Sequence, residues 1–84
     1  MTNAKIIKIV KAYKTILIES NKLNKDWIHK KGTFGYFWIY IEEQNCWKLD
    51  CHHGKHINGM IYYPNRKIAV ECFNKCRNEY EILK

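Results

Sequence analysis

The chain has 84 residues, of which 46% are apolar and 14% aromatic, and a formal net charge of +7. That length supports one small domain around one core, and the apolar content excludes a disordered chain. No apolar run approaches the ~20 residues of a membrane span, and the first residues lack the pattern of a secretory leader. A cytoplasmic protein is expected, with its four cysteines as thiols rather than disulfides.

The charge is unevenly placed. Residues 1–33 hold eight lysines against Glu19 and Asp26 (+6). Residues 34–65 hold Lys48 and Lys55 against Glu42, Glu43 and Asp50 (−1). Residues 66–84 hold five positive and three negative charges (+2). Any polyanion is therefore held mainly by the N-terminal third.

Residues 4–19 admit two structures. On a helix, Ile6, Ile9, Val10, Tyr13, Ile16 and Leu17 share one face, with Lys8, Lys11 and Lys14 off it. Their β-branched content favours a hairpin of strands 5–10 and 14–19, although Lys11-Ala12-Tyr13-Lys14 makes a poor turn. The hairpin is marginally preferred. A short helix over 21–30, capped by Ser20 or Asn21, would then bury Leu23 and Trp27.

After the loop Lys30-Lys31-Gly32-Thr33, three runs read as strands of an antiparallel sheet: 35–41, 46–52 and 57–63. In the first, Tyr36, Trp38 and Tyr40 point one way and Phe37, Ile39 and Ile41 the other. Pro64 ends the third, and Asn65 caps a C-terminal helix over 66–82 with Ile68, Ala69, Cys72, Phe73, Cys76, Tyr80 and Leu83 in one stripe. The fold class is α+β, a three-stranded sheet packed by that helix.

The run Gly35, Tyr36, Trp38, then Asn45-x-Trp47-Lys48, Gly54-Lys55-x-Ile57, Gly59 and Ala69 resembles the ethylene-response-factor type of DNA-binding domain, which also occurs in homing endonucleases and integrases. The resemblance spans residues 35–80 and implies a sheet that docks in the major groove. No arginine lies on a predicted strand; Arg66 and Arg77 belong to the helix. Bidentate guanine readout is a matter for arginine forks. An α-β-β-β-α order, which needs a helix over 4–19, would instead resemble double-stranded RNA-binding domains, with Asn65-Arg66-Lys67 at the phosphates.

Cys46, Cys51, His52, His53, His56, Cys72 and Cys76 suggest zinc, but C-x3-C inside an apolar helix stripe fits buried thiols better. His52-His53 is similar to the pair of HNH nucleases without their downstream partners. No catalytic residue, metal or cofactor is assigned. The expected function is non-enzymatic binding of DNA or RNA. Lys5, Lys8, Lys11, Lys14, Lys30, Lys31, Lys48, Lys55, Arg66 and Lys67 would hold phosphate, and Trp38 and Trp47 would stack. The competing expectation is a phage-type inhibitor that binds a nucleic-acid-handling protein.

Overall fold

A computed structural model describes residues 2–84. Its order is α1 (Asn3–Asn24), β1 (Gly35–Ile41), β2 (Cys46–His52), α2 (Arg66–Lys75) and α3 (Arg77–Ile82), with a single 3-10 turn at Glu42–Gln44. The class is α+β; the sheet has two strands rather than three.

Residues 4–19 form a helix, so the hairpin preference is overturned. Thr2 caps it, its hydroxyl accepting the Lys5 N–H at 3.2 Å. Tertiary packing overrides the β-branched content: a helix brings Ala12, Ile16 and Ser20 onto one buried line, whereas a hairpin lacks a turn. The helix then runs on to Asn24, which replaces the separate element expected over 21–30. Lys25 ends it with φ 55°, and residues 25–34 are loop.

β1 and β2 pair antiparallel, Gly35 opposite His52 through Ile41 opposite Cys46. Asn45, in the left-handed region, closes the connection. The expected third strand is a single bridge. Tyr63 exchanges two backbone hydrogen bonds with Tyr36 (2.8 and 3.0 Å) at the edge of β1 away from β2. Asn58-Gly59 breaks the rest of that run. Gly59 has φ +87° and Met60 N–H reaches back to Ile57 C=O, so the chain turns where it was expected to extend.

The C-terminal helix is interrupted at Cys76, whose φ and ψ of −113° and 31° leave its N–H shared between the Cys72 and Phe73 carbonyls. Its apolar stripe packs as expected. Ile16, Tyr63, Ala69, Cys72, Cys76 and Tyr80 form the buried core, flanked by Trp38, Trp47, Leu49 and Phe73. Each of these side chains removes apolar area from water, worth roughly 25 cal/mol per Å².

Gly35 is a point of close approach. A Cβ there would lie 2.5 Å from His29 Cδ2 and 2.9 Å from Tyr62 Cδ1. Gly35→Ala is therefore expected to lift the His29 loop and cost about 1–3 kcal/mol, read as a lower urea midpoint. An unchanged midpoint would show that the loop yields freely.

Candidate polyanion-binding surface

Four lysines recur every third residue on α1: Lys5, Lys8, Lys11 and Lys14, all exposed. Residues at i and i+3 are neighbours on a helix, so the four follow one ridge, which winds half a turn around α1 from Lys5 and Lys8 beside Glu81 and Ile82 to Lys14 on the opposite side. The ion pairs among the described residues are Glu19–Lys22 (3.2 Å), Glu71–Lys75 (3.9 Å) and Glu81–Lys84 (2.7 Å). None of them engages the row.

A second basic group lies at the other end of α1. The helix starts beside α3, where Lys5, Lys8, Ile9, Glu81 and Ile82 line one cleft. It ends where Asn24 Nδ2 donates to the Tyr62 carbonyl at 3.0 Å. Its 22 residues span about 33 Å. Lys30, Lys31 and Lys55 flank the joined residues His29 and His56 at this far end. Lys48 stands on β2 opposite Ile39, and Arg66 and Lys67 open α2. All six are exposed. The basic residues expected at one site thus fall into separate groups.

Trp38 and Trp47 are turned toward the helices, because the helix-facing side of the sheet carries Tyr36, Trp38 and Tyr40 with Leu49 and Trp47 opposite. The Trp38 indole N–H donates to the Ala69 carbonyl at 3.0 Å, and its ring lies 4.3 Å from Phe73. The Trp47 ring meets Tyr80 edge-on at 4.9 Å. Both rings are half-buried and packed on the core, although the Trp47 indole N–H is buried without a hydrogen-bond partner. The other face carries Phe37, buried against His52 and Tyr62, with Ile39, Ile41, Lys48 and Asp50 beyond it.

The histidines form a cluster that sequence patterning missed. His29 Nδ1 lies 2.8 Å from His56 Nδ1, and His29 Nε2 lies 3.2 Å from the Thr33 carbonyl. A carbonyl only accepts, so Nε2 carries the proton in neutral His29 and its Nδ1 accepts from His56. Tyr62 stacks on His29 at 3.8 Å, and its hydroxyl meets His52 Nε2 at 2.9 Å. Burial lowers the His29 pKa from its ordinary value, and the charges of His56 and His52 act in the same direction, against the Thr33 bond. His29 stood alone in sequence, 27 residues from its partner, and only the fold joins them.

Cys72 and Cys76 are buried thiols in the helix stripe, while Cys46 and Cys51 are exposed on β2. Among the described residues, no group of three or more His, Cys, Asp or Glu side chains is arranged to hold a metal. No helix among them is long and apolar enough to cross a membrane. No protein-family model, curated protein or solved structure matches this chain.

Proposed function

We propose that the protein binds the phosphate backbone of a nucleic acid without reading its sequence, through the lysine row of α1. The carrying observation is the position of Lys5 and Lys8 at the N-terminal, positive end of that helix dipole, with no acidic residue in the first turn. Helix stability favours carboxylates at that end by a few tenths of a kcal/mol to about 1. Stacking lysines there instead raises the local positive potential, which benefits an anionic ligand.

Lys11 and Lys14 extend the row, and Lys30, Lys31 and Lys55 form a second anchor at the far end of the helix. Arg66 and Lys67 add charge at the start of α2, and Lys48 adds it on the open sheet face. The absence of arginine from the strands removes the usual fork for guanine. The two indoles support the core, so affinity comes from counterion release rather than from stacked bases.

Titration of the protein with double-stranded DNA, double-stranded RNA and single strands tests this reading. With four lysines engaged, log K should fall against log[salt] with a slope of about −3.6 on duplex DNA. Replacing Lys8 and Lys11 by Gln should reduce the slope by about 2 without altering the melting temperature. Binding that ignores salt, or survives both replacements unchanged, would sink it.

A further inference from the structure

α1 carries a second exposed feature beside its lysines. Ile6, Val10, Tyr13 and Leu17 follow one another at spacings of four, three and four residues, which is the seam spacing of helix-to-helix packing. In a free-standing α1 face these residues should be polar. Instead Ile6 and Val10 are each 44% exposed and Leu17 is 37% exposed, with Ile7 and Ile18 exposed beside them. The helix already has its own core face along Ala12, Ile16 and Ser20. The seam is therefore additional to the one that folds the protein.

Tyr13 fixes the seam in place. Its hydroxyl donates to the Gly59 carbonyl at 2.9 Å, tying α1 to the turn at 57–60. Between them lies a cleft of about 280 Å³ lined by Tyr13 and Ile16 of α1, by Met60 and Ile61, and at its sheet side by Trp38 and Trp47, so that Tyr13 is where the seam meets it. Apolar side chains of an incoming helix would meet a preformed wall on one side. On the other side they would meet Lys11 and Lys14, neither of which is in an ion pair among the described residues.

We infer that this face docks an acidic amphipathic helix of a protein partner, with the partner's aliphatic residues on Ile6, Val10 and Leu17 and its carboxylates on Lys11 and Lys14. The spacing selects a helix, since Ile6, Val10, Tyr13 and Leu17 stand at i, i+4, i+7 and i+11, a set that matches the ridge of another helix. Charge selects an acidic one. A second copy of this chain fits poorly because two lysine rows would be brought together. The inference shares Lys11 and Lys14 with the proposed nucleic-acid surface and differs from it in the aliphatic row, which phosphate binding does not use.

A fluorescein-labelled three-heptad peptide with leucine at the seam positions and glutamate on the flanks serves as the probe, beside a scrambled peptide of the same composition. Anisotropy should show binding on the order of 10 μM and at least about tenfold weaker binding of the scrambled peptide. Val10→Asn with Leu17→Asn should weaken the patterned peptide about tenfold while circular dichroism stays unchanged. Should that variant lose helix, Ile6→Asn with Ile7→Asn at the exposed start of α1 makes the same test. Equal binding of both peptides would overturn the inference and leave only charge attraction. Seam-dependent binding to anionic phosphatidylglycerol vesicles in place of the peptide, or self-association in sedimentation, would overturn it as well. A duplex titration of the same variants separates the two readings. Loss of peptide binding with intact duplex binding assigns the seam to protein, and loss of both together would sink the separation.

Discussion

Raising the pH from 9 toward 12 is expected to unfold this protein. Burial, reinforced by the neighbouring Cys72, pushes the Cys76 thiol up from its ordinary value of 9.0 to about 12. Burial also raises Cys72, Tyr63 and Tyr80 above their usual values. In the unfolded chain these groups lose their protons at ordinary pH values, while the folded protein retains them. The unfolded state therefore binds fewer protons, and stability falls as pH rises. It is fully present below about 9 and is lost on the way to the folded value. For Cys76 the slope approaches about 1.4 kcal/mol per pH unit above pH 9. Cys72 adds to it from the same starting pH, and the two tyrosines add from about 10. Total stabilities of small domains are about 5–15 kcal/mol, so several such groups ionising together weigh heavily against the fold.

Urea denaturation at half-unit steps from pH 7 to 11 measures this slope. Cys76→Ala removes one of the ionising groups, so its stability should decline less steeply above pH 9, by about one proton, even though the variant starts about 1 kcal/mol lower. Parallel curves for parent and variant would show that the thiol is solvated in solution. A flat parent curve up to pH 11 would contradict the burial of the whole cluster.

The cluster was half legible in the amino-acid sequence. The stripe Ile68, Ala69, Cys72, Phe73, Cys76, Tyr80 and Leu83 announced a buried helix face, because 3.6-residue periodicity is a local property that survives tertiary context. β1 and β2 were equally legible, their alternation bounded by Asn45 and Gly54. What failed was long-range. Tyr63 looked like the end of a third strand, yet it is the centre of the core, and nothing local to it says that α1 will lie opposite. Asn58-Gly59 did carry the information that the run turns, and the Ile57–Tyr63 pattern obscured it. Ile6, Ile9, Val10, Tyr13, Ile16 and Leu17 were readable as one helix face, but of these only Ile16 is buried, and the face that packs is Ala12, Ile16 and Ser20. Small residues set how closely helices approach, whereas hydrophobicity alone pointed to the larger ones. Lysine spacing on α1 was visible throughout. The engagement of Trp38 and Trp47 was not, since it depends on which sheet face the helices cover.

Removing the Tyr63 side chain should have the largest effect of any single truncation. The residue is fully buried and holds the sheet edge through its backbone, while its hydroxyl donates to Cys72 Sγ at 3.2 Å and lies 3.2 Å from the Tyr80 hydroxyl. Tyr63→Ala vacates the space of a whole ring between α1 and α2, for which large-to-small aromatic replacements cost about 3–5 kcal/mol. That leaves a domain of this size close to unfolded at 37 °C. Tyr63→Phe keeps the ring and deletes one oxygen, leaving the buried Tyr80 hydroxyl without that partner, a loss of about 1–3 kcal/mol. Tyr63→Phe with Tyr80→Phe removes both hydroxyls and should recover part of it, since no buried donor is then stranded. Thermal melts of the three variants therefore rank Ala lowest, Phe intermediate and the double Phe above the single. Lys8→Ala, exposed on α1, should shift the melt negligibly. A Tyr63→Phe protein as stable as the parent would mean that water, and not Tyr80 and Cys72, satisfies that hydroxyl.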